Sequence, residues 1–148
     1  MLTSAGQVVI PPEVDRELGF LIDGWPSTRP AWLAVERLTP AAAADAAMLR
    51  TSGLLDAGEA EAVVLARHLA ARWLLTDDAA ARVVAAQMGL DVHGSIGVVL
   101  GAAVDGALSR DEASRALIGL FDSSLWISSR VRREALSALE VIGRRERE

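Results

Sequence analysis

Short apolar segments alternate with longer helix-forming segments along this chain, and this alternation limits its fold more than any other feature. The apolar segments have the length and composition of strands: VVI at 8–10, AWLAVERL at 31–38, WLLT at 73–76 and DVHG at 91–94. The segments between them are longer and rich in alanine, and one ends at Gly89, a common helix stop. Strands that alternate with helices predict an α/β protein with a mostly parallel sheet.

Helix signals divide the rest of the chain. We predict helices from Pro12, over 40–50, 57–71, 79–89 and 95–108, from a cap at Ser109, and over the charged C-terminal segment, with a short further strand at 125–128. The 148 residues suffice for one domain with a sizeable core, and no linker or internal repeat divides them. We therefore expect a single domain over residues 1–148.

Composition excludes several classes of function. The chain has no cysteine, which excludes disulfides, thiolate metal sites and a cysteine nucleophile, and fits a cytoplasmic location. Its net charge of −5 argues against a general nucleic-acid binder, because phosphate affinity comes mainly from lysine and arginine. The most apolar stretch is interrupted by Arg67, His68 and Arg72, so we expect no membrane span, and the first residues do not resemble a signal peptide.

The segment LDAGEAEAVVLA at 55–66 places three carboxylates at the start of an otherwise apolar helix. Asp56 and Glu59 have the spacing of a capping box, and acids in a first turn suit the helix dipole, so a structural interpretation is available. A functional interpretation is that one acid points into a site. Glu61 lies only two residues from Glu59, and such residues do not share a helix face, so we prefer Glu59 as the site residue.

Other acids fall at equivalent places in the predicted fold. Asp77 and Asp78 follow the WLLT strand, and Glu17 lies on the helix after VVI. Ligands of parallel α/β sheets lie beyond the carboxyl ends of the strands, so we expect Glu17, Glu59 and Asp78 to converge on one cleft. Clustered carboxylates repel unless a cation compensates, and Mg²⁺ or Mn²⁺ can do so while activating water. The alternative is that Asp77 caps a helix and Glu17 is a solvated helix residue.

Other candidate sites have weaker support from the sequence. His68 and His93 lack partners at metal-ligand spacing, and HGSIG holds too few glycines for a dinucleotide fingerprint. The arginines of the C-terminal helix are either a solvated face or a phosphate-contacting patch: Arg130, Arg132, Arg133, Arg144, Arg145 and Arg147.

Three segments, in this order, resemble the PIN-domain nuclease superfamily: VVIPPEVDREL, LDAGEAEAVVLA and WLLTDDAAARVVAAQMGLDVHGSIGVVLGAAVDGAL. The nearest branch is a prokaryotic one related to VapC-type toxins. The resemblance implies a parallel α/β/α sandwich and a Mg²⁺- or Mn²⁺-dependent ribonuclease, often a toxin held by an antitoxin. It also implies that Glu17, Glu59 and Asp78, together with Asp77, are the metal-binding acids, and that Glu17, Glu59 and Asp78 are catalytic.

One departure from the family pattern has structural consequences. The family begins with a strand that ends in Asp, well ahead of VVIPP, and only seven residues precede Val8 here. We therefore expect an N-terminally truncated PIN fold that lacks a central strand and one metal ligand. The VVI and WLLT strands would then flank a vacancy, which we expect them to close by direct pairing or to fill with a strand from a partner.

Two functional hypotheses remain open, beside the weaker one of an unrelated α/β protein whose acids are only caps. The first is a metal-dependent ribonuclease, the toxin of a toxin–antitoxin pair, with weak or absent activity because its acidic cluster is incomplete. The second is a catalytically inactive PIN fold that binds protein or RNA. The expected partners are RNA, an antitoxin and a second copy of the chain, in the cytoplasm and without membrane contact.

Overall fold

A computed structural model describes residues 7–25 and 27–145, with side chains described up to residue 143. The chain divides into two units, the first ending at Val92 and the second beginning at His93. Short strands alternate with helices in the first unit, and helices dominate the second. The predicted α/β class is therefore confirmed. No helix in the described ranges is long and apolar enough to cross a membrane.

The first unit contains most of the predicted strand–helix alternation. Its elements in chain order are β1 (Val8–Ile10), α1 (Pro12–Leu21), β2 (Leu33–Val35), α2 (Pro40–Thr51), α3 (Ala57–His68), β3 (Leu74–Leu75), α4 (Ala79–Gln87) and, at the boundary with the second unit, β4 (Val92–His93).

Polar caps fix where these helices begin. Asp56 and Glu59 form the predicted capping box of α3: the Asp56 carboxylate accepts from the Glu59 N–H at 2.9 Å, and the Glu59 carboxylate accepts from the Asp56 N–H at 3.0 Å. Asp78 caps α4, and Thr39 caps α2. Each cap satisfies backbone N–H groups that have no partner within the helix, so each helix starts at a defined residue.

The strands form two separate two-stranded sheets, β1 with β2 and β3 with β4. β1 and β2 are parallel, with Val9 opposite Ala34, and the Glu36 N–H donates to the Ile10 carbonyl at 3.0 Å. The Leu74 N–H donates to the Asp91 carbonyl at 2.8 Å. β1 and β3 do not pair with each other, so the expectation that these strands close up directly is wrong for the described residues.

Helix α3 is the centre of the first unit's core. Six of its residues are buried, and they pack against α2, β3 and α4; the cluster comprises Ala42, Ala46, Leu55, Ala60, Val63, Val64, Ala66, Leu74, Ala81 and Ala85. Alanine is small enough to let helices approach closely. Complete burial of Val63 contributes about 1.5–3 kcal/mol. This packing fixes the start of α3, and its acidic residues, next to the end of β3.

The second unit is built from α5 (Ser95–Val104), α6 (Arg110–Phe121) and α7 (Ser129–Arg145). Its core comprises Ala103, Ala113, Leu117, Phe121, Ala135 and Leu139. The segment 125–128 does not form the predicted strand. The flanking helices pack their apolar faces against each other, and so they offer this segment no sheet edge.

Two arginines of α7 have structural roles. Arg132 donates to the Phe121 carbonyl at 2.7 Å and to the Ile127 carbonyl at 3.1 Å, which ties α7 to the end of α6. Arg130 pairs with Glu134 at 2.8 Å on the exposed face of α7. Arg130 and Arg132 thus have partners within the protein, and the phosphate-contacting interpretation of the other arginines stays a prediction.

Candidate active site

An open pocket of about 220 Å³ lies at the start of α3, within the first unit. Three of its lining residues are acids, and they come from α1, from the N-cap of α3 and from α3 itself. The lining residues are Val14, Glu17, Asp56, Gly58, Glu59, Ala62, Val63, Leu74, Leu75, Thr76 and Ala81. The structure thus brings Glu17 and Glu59, two of the sequence-predicted site residues, to one pocket.

Glu59 has both of the roles that the sequence left open. Its Oε2 accepts from the Asp56 N–H in the capping box, and its carboxyl group also lies within hydrogen-bonding range of the Asp78 side chain. Partial burial raises the pKa of Glu59, the Asp56 N–H opposes this, and the negative charges of Asp56 and Asp78 raise it further. Glu59 therefore holds its proton more tightly than a solvated carboxyl does.

Glu17 reaches the same pocket from α1. The backbone N–H of Gly58, in the first turn of α3, lies close to this carboxylate and opposes the rise of its pKa. Partial burial raises the pKa of Glu17, and the negative charges of Asp56 and Glu13 add to this effect. A carboxylate at a helix N-terminus is favoured by the helix dipole, which offsets part of the cost of holding Glu17 among other acids.

Gly58 makes this arrangement possible, and a search for chemically active side chains misses it. An added Cβ at Gly58 would lie 2.7 and 2.8 Å from the two carboxylate oxygens of Glu17, well inside ordinary contact distance. The sequence signal was the glycine itself, because glycine in a helix costs up to about 1 kcal/mol relative to alanine. Its place in the first turn indicates a close approach of another group to the backbone.

Asp78 lies beside the pocket, at the start of α4. Its Oδ1 accepts from the Ala81 N–H at 2.7 Å, and its own N–H donates to the Thr76 hydroxyl at 3.2 Å. These bonds hold Asp78 next to the end of β3, where it faces Glu59. Asp77 and Asp78 are both exposed and neither lines the pocket, but the charge of Asp78 acts on Glu59 at the pocket edge.

Glu61 has a different position from Glu59, as the helix geometry requires. Its Oε2 accepts from the backbone N–H of Glu13 at 3.0 Å, so this α3 side chain caps the start of α1. Pro11, at the N-cap of α1, makes no side-chain cap, which explains why a distant acid does so. Glu61 therefore has a structural role.

Two neighbouring carboxylates, those of Glu59 and Asp78, are of the type that binds a hard divalent cation. Mg²⁺ is often held by one or two carboxylates, and waters and substrate phosphates complete its coordination. Glu59 and Asp78 could supply the two carboxylates. Within 7–25 and 27–145, no group of three or more His, Cys, Asp or Glu side chains is arranged to hold a metal ion. The pocket thus offers a carboxyl pair with Glu17 nearby, and no closed cage.

Comparison with known families decides the assignment. A family model described as a PIN domain matches residues 1–141 of the chain. The chain belongs to the PIN-domain family. This confirms the resemblance that the three motifs indicated, and the match includes residues of both units. No curated protein and no solved structure matches the chain significantly.

Membership gives the acidic pocket its context. The PIN domain is a nuclease-type fold whose members are generally dependent on divalent metal ions. In this PIN domain the pocket contains Glu17 and Glu59, and Asp78 lies at its edge.

Proposed function

We propose that this PIN domain is a Mg²⁺- or Mn²⁺-dependent ribonuclease whose site is the acidic pocket at the start of α3. The observation that carries the proposal is the carboxyl pair of Glu59 and Asp78, in which partial burial and mutual repulsion raise the pKa of Glu59. Carboxylates brought together at a net electrostatic cost are typical of a functional site, because a bound cation or a substrate recovers that cost.

The side chains would divide the chemistry between them. Glu59 and Asp78 would hold the ion, which when bound lowers the pKa of a coordinated water and stabilises the leaving oxygen. Glu17 has a raised pKa and lies across the pocket, so it would accept a proton from the attacking water. Asp77, next to Asp78 at the end of β3, stays a predicted further ligand.

RNA as substrate, an antitoxin as partner and a cytoplasmic location follow from the family resemblance. The chain has a net charge of −5, and acidic side chains line the pocket. A phosphate group would therefore need a bound cation in order to bind there. We expect weak cleavage, since two carboxylates offset the dehydration of Mg²⁺ less than a larger acidic cluster does.

A second candidate function is a PIN fold that binds protein or RNA without catalysis. It is favoured by the absence, among the described residues, of a three-ligand group for a metal ion. Metal binding separates the two hypotheses, because only the nuclease requires it.

The test combines Mn²⁺ titration calorimetry with cleavage of a fluorescently labelled single-stranded RNA. The variants are Glu59→Gln and Asp78→Asn, and the control is Glu112→Gln, which alters the matching capping box of α6 at Ser109. The nuclease hypothesis requires Mn²⁺ binding and cleavage that both site variants lose and the control keeps. RNA binding without Mn²⁺ binding or cleavage would instead establish the inactive module.

A further inference from the structure

Arg82 of α4 lies beside the acidic pocket. Its backbone N–H donates to the Asp78 carbonyl at 3.1 Å, so Arg82 lies one helical turn after the acid that caps α4. Residues four positions apart share a helix face, and helical side chains lean towards the N-terminus of their helix. The Arg82 side chain is therefore directed back towards Asp78 and the end of β3.

A hydrogen bond holds the guanidinium in that position. Arg82 Nη1 donates to the Thr76 carbonyl at 3.1 Å, and Thr76 is one of the residues that line the acidic pocket. The Thr76 hydroxyl also accepts from the Asp78 N–H at 3.2 Å. Thr76 thus contacts both the arginine and the acid, and it keeps the guanidinium at the edge of the pocket.

No carboxylate neutralises the charge of Arg82. Among the described residues, the Thr76 carbonyl is the only hydrogen-bond partner of the guanidinium, and no acid forms an ion pair with it. Asp78, one turn earlier on α4, instead directs its Oδ1 to the Ala81 N–H at 2.7 Å. A guanidinium carries five N–H donors, so most donors of Arg82 stay available to a ligand.

Arg16 shows the contrasting arrangement on the other side of the pocket. Its charge lowers the pKa of Glu17, so it too lies near a pocket acid. Arg16 is already paired with Glu13, however, and its guanidinium lies 5.5 Å from the centre of the Phe20 ring. Arg82 is therefore the better candidate for a contact with substrate.

We propose that Arg82 binds a backbone phosphate of the RNA, next to the phosphate that an ion at Glu59 and Asp78 would hold. This assignment rests on the proposed function, which brings RNA to the acidic pocket. A guanidinium matches two phosphate oxygens with two parallel N–H bonds. The acids of the pocket repel the flanking phosphates, and a positive charge at the pocket edge offsets that repulsion.

The first test measures how RNA binding depends on salt. A fluorescein-labelled single-stranded RNA is titrated with the full chain in Ca²⁺, which also binds carboxylate oxygens, and a denaturing gel confirms that the RNA stays intact. The anisotropy titrations are repeated between about 50 and 200 mM NaCl. We expect Arg82→Gln to weaken binding by about tenfold. The log–log salt slope should become shallower by about 0.7, the contribution of one phosphate contact to a single strand.

Two further variants separate a phosphate contact from other effects of the substitution. Arg82→Lys keeps the charge, so it should keep the salt slope of the wild type. Arg67→Gln changes the net charge by the same amount as Arg82→Gln. Arg67 is exposed and lies about 12 Å further along the α3 axis than Glu59. The Arg67→Gln variant should therefore bind RNA like the wild type.

The second test is steady-state RNA cleavage in Mn²⁺. The phosphate that Arg82 binds is not the one that is cleaved, so Arg82 stabilises the bound RNA and the transition state equally. Arg82→Gln should therefore raise KM by about tenfold and leave kcat unchanged. A loss of folded protein would instead lower the apparent kcat and leave KM unchanged, so this split distinguishes substrate binding from stability.

Three results would each overturn the assignment: an unchanged salt slope and KM in Arg82→Gln, an equal loss in Arg67→Gln, or a loss of slope in Arg82→Lys. The nuclease proposal fails separately if the wild type binds RNA but neither binds Mn²⁺ nor cleaves. A shallower slope in Arg82→Gln would then still support the phosphate contact. If the wild type cleaves RNA and Arg82→Gln has the same KM, only the Arg82 assignment fails. A wild type that binds no RNA would overturn both.

Discussion

Replacing Gly58 by alanine is the sharpest test of the acidic pocket. The new methyl group would lie 2.7 and 2.8 Å from the Glu17 carboxylate oxygens and 3.0 Å from its carboxyl carbon, whereas ordinary contact begins near 3.4 Å. The carboxylate must therefore retreat by roughly 0.6–0.7 Å, because it is the end of a flexible side chain and the α3 backbone is packed. That retreat weakens the favourable interaction of the carboxylate with the residue 58 N–H.

Two opposing terms set the change in stability. Alanine in place of glycine stabilises a helix by about 0.5–1 kcal/mol. Weakening the interaction of a backbone N–H with a charged group costs up to about 1.5–3 kcal/mol. The net expectation is destabilisation by roughly 0.5–2.5 kcal/mol. Metal affinity should fall more clearly, by about 10–100-fold, as it does when groups that orient a metal site are displaced.

The assay is thermal unfolding together with Mn²⁺ titration of the same preparations. Gly119→Ala is the matched control, because Gly119 also lies in a helix and an added Cβ there meets nothing within 4 Å. It should raise Tm and leave Mn²⁺ binding unchanged. If Gly58→Ala behaves like Gly119→Ala in both measurements, Glu17 does not rest on Gly58 and the geometry of the pocket is wrong.

Three further predictions test separate parts of the structure. Burial raises the pKa of Glu59 and of Glu17, so the folded state holds their protons more tightly than the unfolded state does. Protonation therefore stabilises the folded state, and this stabilisation is lost as pH rises through the folded pKa. In EDTA, Glu59→Gln should therefore raise Tm relative to wild type near pH 7 and lose that advantage near pH 4; an equal difference at both pH values would contradict the burial of this carboxyl. Mn²⁺-dependent RNA cleavage should be weak and should disappear in Glu59→Gln, whereas rapid cleavage would show that the carboxyl pair needs no further ligand. Leu117→Ala should destabilise the second unit by about 2–5 kcal/mol in urea unfolding, because Leu117 is completely buried, and a loss below about 1 kcal/mol would contradict that packing.

Local signals predicted the start of each capped helix better than its end. The capping box at Asp56 and the cap at Ser109 are visible as short patterns, and the structure has them; the cap considered at Asp77 is instead made by Asp78. The helix predicted over 57–71 ends at His68 instead. Ala70 adopts a φ of 47°, and the Ala71 N–H turns back to the Ala66 carbonyl at 2.8 Å. Alanine rarely adopts a positive φ, so its sequence carried no stop signal.

The pairing of the strands could not be predicted from the order of the segments along the chain. The VVI and WLLT strands were expected to flank a vacancy, which they would close by direct pairing or fill with a partner's strand, and both line one pocket. Their failure to pair directly could not be predicted, because the spacing between two strands is set by what α3 packs against. Val63 and Ala66 of α3 pack in one core cluster with Leu74 of β3, and residue patterns within each strand do not report the spacing between the two strands.

The same separation between local and tertiary information applies to Glu59. Its capping role follows from a three-residue spacing, and that spacing alone gives no reason to expect a site. A carboxylate has two oxygens, however, and capping through Oε2 leaves Oε1 for another partner. The cap also holds the Glu59 side chain in place, next to Asp78 and across the pocket from Glu17. The helix start thus fixes the position of the acid that would bind the cation, so the structural and functional interpretations of this residue support each other.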